Sequence, residues 1–113
     1  MPAKAWRLPW SGNMVPHAVL DIMRECNISC RACYNMEPPA ALKTLEQVSA
    51  ELDVLMSLRR LSSVSILGGE VTLHPQLLNI VRMVSEKGIH TELLTNGLGV
   101  DAAMCRQLRV AGL

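Results

Sequence analysis

The stretch SVSILGGEVTLHPQLLNIV, residues 63–81, passes from a strand through a glycine pair into a helix. In its first five residues, SVSIL, serines alternate with apolar residues, which favours a strand. The glycine pair should end this strand. Pro75 suits the first turn of a helix, and apolar residues then recur at helical spacing at Leu77 and Val81. The stretch therefore predicts one strand–turn–helix unit.

The same unit recurs on both sides of this stretch. HAVLDIM (17–23) predicts a first strand and IHTELL (89–94) a third. Thr44 and Gln47 form a capping box before a first helix, and Asp101 can cap a third helix. The order β-α-β-α-β-α predicts an α/β fold with a parallel sheet, because strands joined through helices pair in parallel.

Composition indicates one small globular domain. Half of the 113 residues are hydrophobic, and 11 basic against 10 acidic residues give a net charge of +1. This balance predicts no nucleic-acid or membrane partner. The chain has no run long enough to span a bilayer and no apolar signal segment, so we expect a cytoplasmic protein whose thiols are kept reduced. Residues 1–16 predict an irregular lead-in and residues 17–113 the domain.

Three polar or glycine-rich segments follow the three predicted strands. They are the cysteine segment ECNISCRACYN (25–35), Gly68-Gly69-Glu70, and Thr95-Asn96-Gly97. In parallel α/β folds the carboxyl ends of the strands share one edge, and ligands bind there. We therefore expect the three segments to form one site.

The cysteine segment places Cys26, Cys30 and Cys33 within eight positions. A disulfide is disfavoured, because the compartment is reducing and the residues are too close to join distant segments. A structural zinc ion needs four protein ligands, and the only other cysteine, Cys105, lies about seventy residues away. An iron–sulfur cubane usually takes four thiolates, so three would leave one iron open. Zinc with a distant ligand and a cluster both remain open at this point.

Cys26-x3-Cys30-x2-Cys33, followed by a strand with Gly68-Gly69-Glu70 and then by LLTNG, resembles the radical S-adenosylmethionine (radical SAM) superfamily. The resemblance implies a partial TIM-type (βα) barrel of about six βα units, of which residues 17–113 supply about three. We therefore expect these residues to be the N-terminal half of a longer core, truncated at the C-terminus. Such a chain should bind a cluster poorly by itself.

The resemblance also implies the cofactors and the residues that hold them. Cys26, Cys30 and Cys33 would each bind one iron of a [4Fe-4S] cluster, and S-adenosylmethionine would occupy the fourth iron. The segment Gly68-Gly69-Glu70 would receive the methionine ammonium group of this cofactor. A carboxylate suits that task, because it accepts a charge-assisted hydrogen bond from a cation.

Two further cofactor contacts are predicted at Tyr34 and Asn96. Family members usually carry a bulky residue just before the third cysteine, near the adenine, and this chain has Ala32. Tyr34, immediately after Cys33, is the candidate to replace part of that contact. Asn96 is predicted to lie near the cofactor or the substrate.

The function implied is reductive cleavage of S-adenosylmethionine to a 5′-deoxyadenosyl radical, which abstracts hydrogen from a substrate that the sequence does not identify. An external flavodoxin- or ferredoxin-like donor would supply the electron. A missing C-terminal half or self-association would complete the sheet. The alternative is a non-catalytic iron–sulfur or zinc-binding module, including an inactive truncated relic.

Cys105 and Met56 are predicted to be core residues, and Asp21 should need a partner.

Overall fold

The computed structural model describes residues 16–33 and 42–113. They form a parallel sheet in the order β1-β2-β3 with three helices. The elements are β1 (His17–Asp21), α1 (Leu45–Leu58), β2 (Ser63–Leu67), α2 (Leu77–Glu86), β3 (His90–Leu93) and α3 (Ala102–Ala111). A short 3-10 turn, Val71–Leu73, precedes α2. The predicted α/β class, element order and parallel pairing are confirmed.

The register of the sheet brings the three strand ends to one edge. At the far end of β1, Asp21 lies opposite Leu67 of β2. One position earlier in β2, Ile66 lies opposite Leu93, the last residue of β3. Backbone pairing continues past the strands, because Ile22 N–H donates to Leu67 O at 2.9 Å. The segments that follow the three strands therefore start side by side.

The helix ends follow the predicted capping residues. The Thr44 hydroxyl accepts from Gln47 N–H at 3.2 Å, and the Gln47 side chain accepts from Thr44 N–H at 2.8 Å. Asp101 Oδ1 accepts from Met104 N–H at 2.7 Å. After α2, Gly88 adopts a positive φ of 75°, the left-handed conformation that favours glycine after a helix. These bonds use backbone groups that helix ends otherwise leave unpaired.

One face of the sheet packs against the helices to form the core. Its strand residues include Leu20, Val64 and Ile66, and the helices contribute Val48, Leu52, Ile80, Val81, Val84 and Leu108. Side chains alternate along a strand, so the neighbours of these residues point the other way. On that opposite face Val19 is 51% exposed, and the Ser65 hydroxyl lies 3.0 Å from His17 Nε2 and 2.6 Å from Glu92 Oε2.

Two predicted core residues are exposed. Cys105 lies on the surface of α3, and Met56 is 39% exposed near the end of α1. In α3 the buried face carries Leu108 and Ala111, with Met104 partly buried. Each residue advances a helix by about 100°, so Cys105 falls beside this face. The prediction that both are core residues was wrong.

Within residues 16–33 and 42–113, the structure contains no helix with the length and apolar character needed to span a bilayer.

Candidate functional site

The cysteine loop, residues 22–33 after β1, carries three cysteines, none of which forms a disulfide. Cys26 and Cys30 are exposed and Cys33 is half-buried. A turn brings the last two together, since Cys33 N–H donates to Cys30 O at 3.3 Å. Ala32 in this turn is exposed, and Tyr34 lies outside the described residues. Cys26 and Cys30 are thus accessible to an external group.

The donor chemistry of this loop fits an iron–sulfur cluster. Among residues 16–33 and 42–113, no three His, Cys, Asp or Glu side chains gather as ligands of a single metal ion. A cubane makes a different demand, because each cysteine binds a different iron and the thiolates therefore stand farther apart. Three soft thiol donors in one loop after a strand fit such a group.

The glycine pair lies directly against the cysteine loop. Gly69 N–H donates to Met23 O at 2.9 Å, and Glu70 N–H donates to Glu25 O at 2.8 Å. A Cβ atom on Gly69 would lie 2.0 Å from Glu25 O, and one on Gly68 would lie 2.4 Å from Met23 O. The absence of side chains here lets the glycine turn pack on the backbone that leads to Cys26. The contact of this turn with S-adenosylmethionine, which the resemblance implies, is a separate prediction.

Glu70 links the segments after β2 and β3. Its side chain is 1% exposed, and one carboxylate oxygen accepts from the hydroxyls of Thr72 and Thr95, the latter at 2.6 Å. The other oxygen accepts from Asn96 N–H at 3.0 Å. Burial raises the pKa of the Glu70 carboxyl, but the hydrogen bonds from Thr72, Thr95 and Asn96 outweigh it and hold the pKa below the ordinary value of 4.5. Glu70 is therefore ionised at neutral pH.

Glu70→Gln should lower the free energy of unfolding by about 1.5–3 kcal/mol at pH 7, because hydrogen bonds to an ionised acceptor are lost. In the unfolded chain the carboxyl has its ordinary pKa, so it takes up a proton before the folded one does. The stabilisation is full above pH 4.5 and is lost as the pH falls through the lowered folded-state pKa. Urea unfolding of both proteins between pH 7 and pH 3 measures this difference.

The matched control is Glu86→Gln, which changes an exposed carboxylate at the end of α2. Its effect on the free energy of unfolding should be small at pH 7, as is usual for an exposed side chain. If the difference in free energy of unfolding between wild type and Glu70→Gln stayed constant down to pH 3, the ionised, hydrogen-bonded state of Glu70 would be contradicted.

Asn96 extends the connection from β3 to the cysteine loop. Its Nδ2 donates to Asn27 Oδ1 at 2.7 Å and lies 4.0 Å from Cys26 Sγ. Its Oδ1 accepts from Leu98 N–H at 3.0 Å. An open cleft of about 320 Å³ lies between the segments after β2 and β3. The residues lining it are Leu67, Gly68, Gly69, Leu94, Thr95 and Asn96.

The structure thus brings the cysteine loop, the glycine turn, Glu70 and Asn96 to one edge of the sheet, as the positions of the strand ends predicted. Thr72 was not predicted to contribute, and Thr95 and Asn27 were included only as members of the predicted segments, without a role of their own. A hydroxyl residue two positions after the carboxylate of the glycine turn was a signal for Thr72, whereas nothing in the sequence singled out Asn27.

Two neighbouring groups have structural partners. Asp21, predicted to need one, lies 3.5 Å from the Arg24 guanidinium. The buried His74 ring bonds Lys43 O at 2.8 Å and accepts from Gln76 N–H at 3.0 Å. Because both ring nitrogens are engaged with the backbone, His74 holds the start of α1 against the segment before α2.

The parallel α/β sheet thus carries a three-cysteine loop, a Gly-Gly-Glu turn and an Asn-bearing turn at one edge. The family model of the radical SAM superfamily matches residues 20–113. The chain belongs to this superfamily.

Several curated proteins are similar to the chain over part of their length. It is 34% identical over 83 residues to the antilisterial bacteriocin subtilosin biosynthesis protein AlbA of Bacillus subtilis, covering 72% of this chain and 18% of that protein. It is 33% identical over 112 residues to the Fe-coproporphyrin III synthase of Methanosarcina barkeri, covering 94% and 27%. It is 37% identical over 73 residues to GTP 3',8-cyclase 1 of Mycobacterium tuberculosis, covering 60% and 20%. The matches therefore span between 18% and 27% of the length of these relatives.

Proposed function

We propose that this chain forms the cluster- and cofactor-binding part of a radical SAM enzyme. Cys26, Cys30 and Cys33 would each hold one iron of a [4Fe-4S] cluster, and S-adenosylmethionine would bind in the cleft beside Gly68 and Gly69. The observation that carries the proposal is that the loop with the three cysteines packs on the glycine turn at one sheet edge, through the backbone oxygens of Met23 and Glu25. When bound and reduced, the two cofactors together supply a 5′-deoxyadenosyl radical that abstracts hydrogen from a substrate.

Glu70 would contribute a charge to the cofactor cleft. Its pKa lies below the ordinary value, so it is an anion at neutral pH. Its oxygens accept from the hydroxyls of Thr72 and Thr95 and from the backbone N–H groups of Asn96 and Thr72, which fix the carboxylate at the edge of the cleft. A negative charge at this place attracts a cation, and a carboxylate forms a charge-assisted hydrogen bond with an ammonium group. This supports Glu70 as the acceptor for the methionine ammonium, with Asn96 beside it.

Further strands are proposed from the edges of the sheet and from the small share of its relatives that this chain covers. β1 and β3 are the edge strands of the three-stranded sheet, and edge strands present unpaired backbone groups. Further strands, from a longer chain or from a second copy, would extend the sheet toward the partial barrel. We also propose a cytosolic location and an external flavodoxin- or ferredoxin-like electron donor, because the cluster needs reduced thiols and an electron.

The substrate would be recognised elsewhere. The relatives that align with this chain are named for a bacteriocin, a porphyrin and a GTP cyclisation. One aligned region shared by such different proteins supports a role in the common cofactor chemistry, with specificity coming from other parts of each protein.

The test is anaerobic reconstitution of the chain with iron and sulfide, followed by reduction and addition of S-adenosylmethionine. We expect a brown protein that releases 5′-deoxyadenosine and methionine. Product is normalised to bound iron, so that partial loading does not hide cleavage. Retention of zinc without colour, or a loaded cluster that never cleaves the cofactor, would instead support the non-catalytic module.

A further inference from the structure

The side chain of Asn96 has an orientation set by two different neighbours. Leu98 N–H can only donate, so it must face the oxygen, and the 3.0 Å contact places Oδ1 there. The amide nitrogen then points to the cysteine loop, where Asn27 Oδ1 lies at 2.7 Å and Cys26 Sγ at 4.0 Å. The N–H groups of Asn96 are thus directed at the first cysteine and the residue after it.

The other end of this connection is rigidly held. Asn96 N–H donates to Glu70, whose side chain is almost fully buried and also accepts from Thr95. By contrast, Cys26, Asn27 and their neighbours in the cysteine loop are exposed. The hydrogen bond from Asn96 to Asn27 therefore joins a buried anchor to an exposed loop, and we call this bond the tether. Asn27 is the neighbour of Cys26, the residue proposed to be the first cluster ligand.

We propose that Asn96 is a positioning residue for the cysteine loop. It holds Asn27 in place, and its second N–H donates to the Cys26 sulfur when that sulfur is a cluster ligand. This second role rests on the proposed function, whereas the tether does not. Hydrogen bonds to cluster sulfurs stabilise the more reduced, more negative state, so Asn96 raises the reduction potential of the cluster.

Two substitutions at Asn96 separate the tether from the sulfur contact. Asn96→Ala removes both. Asn96→Asp keeps the acceptor for Leu98 N–H, and the Asn27 amide can turn to donate to the new carboxylate, so the tether survives. The donor to Cys26 is lost and a negative charge replaces it. Asn27→Ala removes the tether from the loop side without altering the turn after β3, and Asn79→Asp on α2 is the matched charge control.

The tether is tested in the chain without metal, by the rate of tryptic cleavage between Arg31 and Ala32, followed by mass spectrometry. Asn96→Ala and Asn27→Ala should both raise this rate about tenfold, the factor expected for one lost hydrogen bond. Asn96→Asp and Asn79→Asp should stay within about twofold of wild type. Wild-type cleavage rates in Asn27→Ala would overturn the tether, even if Asn96→Ala failed to fold.

The sulfur contact is tested by the reduction potential of the reconstituted cluster, titrated by electron paramagnetic resonance. Asn96→Asp should have a more negative potential than wild type, and Asn79→Asp an unchanged one. Equal potentials in Asn96→Asp and wild type would overturn the contact. If wild type assembled no cluster, the proposed function would fail, while the cleavage rates would still decide the tether.

Discussion

Replacing Cys30 by Ala should abolish stable cluster assembly, and Cys26→Ala and Cys33→Ala should do the same. Each thiolate would hold a different iron, so the loss of one leaves two protein ligands for the whole cluster. The three residues share one loop against the glycine turn, and residues 22–33 contain no further cysteine to take the vacant place. The measurement is iron and sulfide bound per chain after anaerobic reconstitution and desalting.

Cys105→Ala is the matched control. Cys105 is also an exposed free thiol, but it lies on α3 and lines a different cleft, with Leu93, Val100 and Leu108 among its neighbours. Its removal should leave iron binding at the wild-type level. Iron loss as complete in Cys105→Ala as in Cys30→Ala would disprove the three-ligand arrangement.

Gly69→Ala should destabilise the fold by about 3 kcal/mol or more, at the upper end of the range for overpacking. The new methyl group would lie 2.0 Å from Glu25 O and 2.6 Å from Arg24 O. Both atoms belong to the backbone, so no side-chain rotation relieves the clash, and the segment leading to Cys26 must move. Small domains have only about 5–15 kcal/mol of stability, so the loss is large. Urea unfolding followed by circular dichroism measures it.

Gly99→Ala provides the comparison for the same chemical change. Its added Cβ would meet only the Thr72 hydroxyl, at 3.4 Å, which is an ordinary contact distance. We expect a change within about 0.5 kcal/mol, typical of surface positions. Similar stabilities for Gly69→Ala and Gly99→Ala would show that the glycine turn does not pack on the cysteine loop as described.

The sequence predicted strands and caps well where the signal is local. SVSIL is β2 with the predicted bounds, and the side chains of Thr44 and Asp101 cap their helices. β1 was predicted to reach residue 23 but ends at Asp21. Ile22 and Met23 beyond it are still buried, so their apolar character reported burial rather than strand geometry.

The position of the candidate site could be predicted from the sequence, but its side-chain contacts could not. The three strand ends identified the edge, because parallel strands put their carboxyl ends together. The bonds of Glu70 to Thr95 and of Asn96 to Asn27 join residues that are 25 and 69 positions apart. Such contacts depend on how neighbouring loops fold over one another, which residue spacing does not encode. The backbone contact of Gly69 was missed for the same reason.

The most direct test of the account is Mössbauer spectroscopy of the chain reconstituted with ⁵⁷Fe, before and after addition of S-adenosylmethionine. Three cysteine ligands and one open position predict that a single iron of the cluster changes its isomer shift when the cofactor binds, while the others do not. Because the spectrum reports only loaded chains, incomplete assembly does not affect the result. A cluster whose irons all remain unchanged, at cofactor concentrations that saturate binding, would contradict the account.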